Sequence, residues 1–219
     1  MTLQRKRIWQ LIQVFGLILI FEGMAAALPA NYLVKVDTSA VDGASGFLDF
    51  QFNPGNATSQ LAFARISLFQ SAGGTLIFGV GSPDVLGDVS GALPGDITFD
   101  NATAFNDYFQ QVTFGTSFSF ILSLTGPALS APDGTATAGS TFSVGLFDQD
   151  QNVILTNQSV VGQVDVNLDG STTVTAFPTA NGGPSVFSAE IPEPTSLCLS
   201  TLALFVLAPF QRVLRLRVR

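Results

Sequence analysis

The sequence predicts an all-β protein: an antiparallel, jelly-roll-like β-sandwich, flanked by an N-terminal signal helix and a C-terminal transmembrane helix. Three observations predict this fold. Between residues 31 and 190 apolar and polar residues alternate, turn dipeptides such as Gly73-Gly74 and Asp169-Gly170 separate the alternating runs, and no segment has an apolar stripe at helical spacing. We therefore expect a signal peptide at 1–27, a β-sandwich domain at 28–190 and a C-terminal signal at 191–219.

The N-terminus has the features of a secretory signal. Arg5-Lys6-Arg7 precedes an apolar stretch at 8–21, and Ala25-Ala26-Ala27 supplies the small residues that signal peptidase requires before its cut. We expect delivery to the Sec translocon and cleavage after Ala27 or after Ala30. An uncleaved signal anchor is the alternative, but two glutamines leave the apolar run shorter than a membrane span.

The central region contains about ten short runs whose spacing is typical of a sandwich. The chain contains 20 phenylalanines, and we explain this abundance by inner-facing residues of two packed sheets, because a phenyl ring has no polar atom to satisfy there. The predicted strands lie at 32–37, 48–52, 61–69, 75–80, 108–114, 117–124, 141–147, 153–156, 160–168 and 172–177.

The C-terminus predicts a short membrane span. An uncharged, apolar run at 195–210 follows Ile191-Pro192-Glu193-Pro194. Sixteen helical residues reach about 24 Å against a hydrocarbon core of about 30 Å, so the basic tail must complete the span by snorkelling. Its arginines place the C-terminus in the cytoplasm by the positive-inside rule. A buried core helix is the alternative, and a glycosylphosphatidylinositol signal should end in apolar residues instead of arginines.

This ordered combination of tripeptide, apolar helix and arginine cluster resembles the PEP-CTERM sorting signal of exopolysaccharide-producing Gram-negative bacteria. The resemblance implies recognition of Pro192, Glu193 and Pro194, and processing near them by an exosortase, a membrane cysteine protease and transpeptidase. It also implies a transmembrane segment at 195–210. The cytoplasmic membrane stop that it implies consists of Arg212, Arg215, Arg217 and Arg219.

The central region also resembles a PEP-CTERM-associated β-sandwich family of unassigned function. The stretches that carry the resemblance are 32–37, 46–55 (GFLDFQFNPG), 112–129 (VTFGTSFSFILSLTGPAL), 141–150 (TFSVGLFDQD) and 164–178. This resemblance implies the fold and an exported context, and it implies no activity.

Composition excludes several kinds of chemistry. The chain has no histidine and one cysteine, so it cannot hold a histidine-based catalytic triad, a histidine-ligated zinc or an internal disulfide. Between residues 31 and 190, fourteen acids against two bases give a charge of −12. Such a surface should repel nucleic acid. We expect a protein that is not an enzyme and that needs no cofactor.

Calcium is the one metal that the acidic residues could hold. Asp165, Asn167 and Asp169, followed by Gly170, match the opening of an EF-hand loop, where oxygens at positions one, three and five bind calcium. Position twelve is Ala176 instead of a bidentate acid, which favours a strand that runs into an Asp-Gly turn.

A second weak calcium candidate lies between two predicted strands. Asp148 and Asp150 fall in the polar stretch 148–152, which can form either a hairpin loop or a calcium site. The loop is the favoured interpretation.

These observations predict an exported, surface-sorted structural or interaction protein of an exopolysaccharide or biofilm system. It would first be an inner-membrane-anchored precursor and would then reach the cell envelope or the extracellular matrix. A carbohydrate-binding or matrix-adhesion module is the alternative, although Trp9 lies in the signal and only Tyr32 and Tyr108 remain as sugar platforms of the usual kind. A secreted hydrolase that uses paired aspartates is the weaker alternative.

Overall fold

A computed structural model of the chain describes residues 29–191. The predicted signal helix, the sorting tripeptide, the transmembrane helix and the terminal arginines lie outside these residues. Within residues 29–191, no helix has both the length and the apolar character that crossing a membrane requires. The described elements are β1 (Ala30–Asp37), a 3-10 turn (Ser39–Val41), β2 (Ser45–Pro54), β3 (Phe63–Ala72), β4 (Thr75–Leu76), β5 (Asp84–Leu86), β6 (Val89–Gly91), β7 (Ile97–Asp100), β8 (Asp107–Thr113), β9 (Ser117–Thr125), α1 (Pro127–Ser130), β10 (Ser140–Asp148), β11 (Gly162–Val166), β12 (Thr172–Ala176) and β13 (Phe187–Glu190).

The strands form two sheets, and every strand pair in them is antiparallel. The six-stranded sheet has the order β13-β1-β9-β3-β7-β6, and the seven-stranded sheet has the order β12-β11-β10-β2-β8-β4, with β5 also pairing with β8. The predicted all-β, sandwich-like architecture is confirmed.

The core lies between the two sheets, and eight of its 27 buried hydrophobic residues are phenylalanines. The expectation that phenylalanines fill this layer holds only in part, because Phe47, Phe109 and Phe147 are half-buried and Phe78 and Phe105 are exposed. Phe50 and Phe142 of the seven-stranded sheet are fully buried against Phe120 and Phe99 of the six-stranded sheet. The Phe50 and Phe120 rings meet edge to face at 5.3 Å, and the Phe99 and Phe142 rings do so at 6.3 Å. Edge-to-face contacts bring the positive edge of one ring to the negative face of the next.

The observed strands differ from the predicted ones where the chain runs along a sheet edge. The predicted strand at 75–80 shortens to β4, because the chain leaves the sheet after Ile77. The predicted strand at 153–156 contributes only isolated bridges, at Val153 and Thr156. Four short strands, β5, β6, β7 and β13, were not predicted, since each has three or four residues and too few alternations to stand out.

The first and last described strands are neighbours. β1 and β13 pair antiparallel, with Leu33 opposite Glu190. The start of β1 and the end of β13 therefore lie at the same end of the sandwich, so the chain enters and leaves the described domain side by side.

Candidate binding surface on the seven-stranded sheet

The seven-stranded sheet has an outer face, directed away from the core, that carries polar and aromatic side chains. Because successive residues of a strand point to opposite faces, burying Leu48 and Phe50 in the core turns Phe47, Asp49 and Gln51 of β2 outward. The same alternation applies to β8 and β10. We call this surface the outer face.

Three rings on the outer face form a row across three adjacent strands, which we call the phenylalanine row. Phe147 of β10 lies directly opposite Phe47 of β2. The ring of Phe109 of β8 stacks on that of Phe47, with centroids 4.6 Å apart, and lies 5.8 Å from that of Phe147. All three side chains are half-buried, so each offers part of a ring to solvent.

Gly145 makes room for this row. A Cβ atom at position 145 would lie 2.9 Å from a ring carbon of Phe147 and 3.2 Å from the Cβ of Asp49. The missing side chain therefore leaves space at position 145 between the Phe147 ring and Asp49.

Three aspartates surround Phe109, and we call them the carboxyl cluster. In the strand registers, Phe109 lies opposite Asp49 of β2 on one side and opposite Asp84 of β5 on the other. Asp107 lies two residues before Phe109 on the same strand and therefore on the same face. Exposure decreases through the cluster: Asp84 is exposed, Asp107 is half-buried and Asp49 is only 4% exposed.

The carboxyl groups of Asp49 and Asp107 are in contact. Burial raises the pKa of Asp49 to about 8, and the adjacent Asp107 carboxyl adds to the shift. Burial also raises the pKa of Asp107, and the negative charge of Asp84 contributes. Like charges this close cannot both ionise at low cost, so the pair holds one proton near neutral pH.

The hydrogen bonds of this pair are incomplete. Gln51 Nε2 donates to Asp49 Oδ2 at 2.8 Å. The buried Oδ1 atoms of Asp49 and of Asp107 have no hydrogen-bond donor from the described residues. A proton between the two carboxyl groups, or a cation that reaches them, would compensate these oxygens.

No cationic side chain of the described residues lies in this sheet. Lys35 belongs to β1 and Arg65 to β3, both in the six-stranded sheet. Arg65 forms an exposed ion pair with Asp96. The outer face of the seven-stranded sheet is therefore acidic and aromatic.

The first set of calcium candidates is divided between a strand and a turn. Asp165 lies on β11, where Oδ1 accepts a hydrogen bond from Thr141 Oγ1 at 2.6 Å. Asn167 and Asp169 lie in the turn that leads to β12, where Asp169 Oδ1 accepts from the Ser171 amide at 2.9 Å. Its hydrogen bonds with the Ser171 side chain and amide lower the pKa of Asp169.

The second set lies in the hairpin loop after β10. Asp148 Oδ1 accepts hydrogen bonds from the amides of Asp150 at 2.9 Å and Asn152 at 2.8 Å. Hydrogen bonds with Asn152, first of all from its backbone, lower the pKa of Asp148. In residues 29–191 no three or more acidic, cysteine or histidine side chains converge as metal ligands would. The calcium interpretation stays a prediction.

A groove of about 620 Å³ opens at the end of the sandwich where the chain enters and leaves. Asn101 holds one wall, because its Nδ2 donates to Gln60 O and Ser140 Oγ, and its Oδ1 accepts from the Ala62 amide. The groove has no charged side chain in its lining. It therefore offers no acid or base for hydrolysis.

The carboxyl pair does not have the geometry of a glycosidase. Such enzymes place two carboxyl groups about 5 Å or more apart, on either side of the glycosidic bond. Asp49 and Asp107 contact each other directly, and Asp49 is buried. A sugar ring cannot fit between them.

The outer face was not identified as a site in the sequence, although a signal for it exists. Phe47-Leu48, Tyr108-Phe109 and Leu146-Phe147 are pairs of consecutive apolar residues inside strands. In a strand, one member of each pair must face away from the core. Three such pairs indicate an aromatic patch on an outer surface, but only the pairing of β10, β2 and β8 shows that the three rings meet.

No protein-family model, curated protein or solved structure matches this chain.

Proposed function

We propose that this chain is an exported, surface-sorted structural or interaction protein of a Gram-negative exopolysaccharide or biofilm system, and that it is not an enzyme. The observation that carries this proposal is the order of three features at the C-terminus: Pro192-Glu193-Pro194, the apolar run 195–210 and the arginine tail. In this proposal the sandwich is jelly-roll-like, a signal helix precedes it and a transmembrane helix follows it. Signal peptidase removes the signal helix, and an exosortase processes the chain near the tripeptide that precedes the transmembrane helix.

The position of the chain ends supports this organisation. β1 starts at Ala30, three residues after Ala27, and β13 ends at Glu190, two residues before the tripeptide. Cleavage after Ala27 and near the tripeptide would therefore leave every described strand whole, and cleavage after Ala30 would remove only the first residue of β1. Because β1 and β13 are neighbours, a membrane anchor after residue 191 would hold the domain by one end.

The outer face favours a second candidate function, the binding of extracellular polysaccharide. Sugar-binding surfaces combine aromatic rings, which pack against the apolar faces of sugars, with side chains that hydrogen-bond to hydroxyl groups. The phenylalanine row supplies the rings. The half-buried Gln51 and Gln111 supply amide groups on the same face.

The sorting proposal is tested by replacing Pro192, Glu193 and Pro194 with alanine in a bacterium that contains an exosortase. The variant should accumulate as a precursor in the inner membrane, whereas the parent chain should mature and leave it. Replacing Gln158 and Ser159, which are exposed in a loop of the sandwich, with alanines provides a control that should mature normally. Maturation and release of the tripeptide variant would contradict the proposal.

A further inference from the structure

We propose that the outer face binds a polysaccharide with free primary amino groups, and that Phe109 and the carboxyl cluster form the site for one ammonium group. This inference rests on the second function proposed above, the binding of polysaccharide, and names the chemistry of the ligand.

The arrangement around Phe109 suits a cation. Phe109 lies between Asp49 and Asp84 in one cross-strand row, and residues directly opposite each other in neighbouring strands have Cβ atoms about 5 Å apart. Phe47 stacks on one face of the Phe109 ring, so a cation would use the other face. An ammonium group over a phenyl ring is attracted by the negative face of the ring, and flanking carboxylates add to that attraction. The half-buried ring and the exposed Asp84 leave one side of this row open to solvent.

Two buried carboxyl oxygens of the cluster lack a hydrogen-bond donor among the described residues. Asp49 is 96% buried, since only 4% of it is exposed, and its Oδ1 atom has no donor among the described residues. The Oδ1 atom of Asp107, one step closer to solvent, also has none. The proton that the Asp49–Asp107 pair shares still leaves the pair with a negative charge, and the exposed Asp84 adds another. An ammonium group at Asp84 and Asp107 has several N–H donors and a positive charge to offset them.

The net negative charge of the domain also favours a cationic partner. Residues 31–190 carry −12, and both of their bases lie in the other sheet. A bare metal ion is a poorer fit, because no three acids of residues 29–191 converge on one point. A lysine-rich peptide would satisfy the carboxylates, but a polysaccharide also uses the phenylalanine row and the amide and hydroxyl groups beside it.

The test is isothermal titration of the full-length chain, purified in a neutral detergent, with four probes. These are β-1,4-linked hexasaccharides of glucosamine, N-acetylglucosamine and glucose, and a hexalysine peptide. The glucosamine oligomer should bind at least about tenfold more tightly than each of the others, and high salt should weaken its binding.

Two variants and two controls locate the site. Phe109→Leu keeps an apolar side chain but removes the ring, and Asp84→Asn removes an exposed charge that no described strand needs for packing. Each should weaken glucosamine binding about tenfold. Asp165→Asn, on the same face, and Phe78→Leu, on an exposed loop, should leave it unchanged.

The outcomes separate this inference from the proposals on which it rests. Equal binding of the three sugars would overturn the amine inference and leave polysaccharide binding standing. Binding of no sugar would overturn both, without affecting the sorting proposal, which is measured in cells. Equal or tighter binding of hexalysine, or unchanged binding by Phe109→Leu and Asp84→Asn, would also overturn the inference.

Discussion

Replacing Asp49 with asparagine should remove much of the pH dependence of folding stability. The folded protein keeps a proton on the Asp49–Asp107 pair up to a pKa of about 8, whereas an unfolded aspartate releases its proton near 3.8. Between these values the native state binds more protons than the unfolded state, so the free energy of unfolding falls as the pH rises. The stabilising effect of the proton is complete below the unfolded-state pKa and is lost as the pH rises through the folded-state pKa.

The size of the effect follows from the width of this window. One pKa unit corresponds to about 1.4 kcal/mol, so a shift from 3.8 to about 8 corresponds to a loss on the order of 6 kcal/mol across the window. This loss belongs to the pair, because Asp107 shares the proton. An asparagine amide is neutral at every pH and can donate to Asp107 as the protonated carboxyl does.

The assay is urea unfolding followed by far-UV circular dichroism at about pH 5, 7 and 9. Relative to the parent chain, Asp49→Asn should gain stability at the highest pH and should show a flatter dependence overall. Asp165→Asn is the matched control: Asp165 lies on the same face, but Thr141 and Gln163 hydrogen-bond to it. Parallel pH curves for the parent chain and Asp49→Asn would refute the shared-proton explanation.

Two further changes test the packing of the domain. Phe50→Ala removes a fully buried ring that contacts Phe120 and should lower the free energy of unfolding by about 3–5 kcal/mol in urea titrations; an undiminished midpoint would contradict the assigned core. Gln110→Leu removes the acceptor for the Tyr108 hydroxyl and the donor to the Ile77 carbonyl, and should cost about 1–3 kcal/mol. It should also speed amide hydrogen exchange in the 77–83 loop, and unchanged exchange there would show that Gln110 does not hold the loop.

The central strands of both sheets could be predicted because their alternation is long and regular. Ser117–Thr125 alternates less buried and buried side chains over its whole length, and Ser45–Asn53 does so except at Asp49, which is buried on the outer side. The short edge strands could not be predicted in this way. Ile97–Asp100 buries only two side chains, and the exit of the chain after Ile77 depends on a hydrogen bond from Gln110, 33 residues away in sequence.

The carboxyl cluster depends on pairings that no local pattern encodes. Alternation alone turns Asp49 and Asp107 away from the core, but 58 positions separate them, and only the pairing of β2 with β8 brings them together. Asp84 joins them through β5, a strand of only three residues that was not predicted. The composition nevertheless indicates that some carboxyl groups lack a cationic partner, because residues 31–190 contain fourteen acids and only two bases.

The most direct test of the proposed export and sorting is the intact mass of the protein that reaches the cell surface or the extracellular medium of an exosortase-containing bacterium. We expect a chain that begins at Leu28 or Asn31, keeps all thirteen described strands and lacks residues 195–219. A surface-exposed chain that keeps its arginine tail, or a chain that stays in the cytoplasm with residues 1–27 attached, would contradict it.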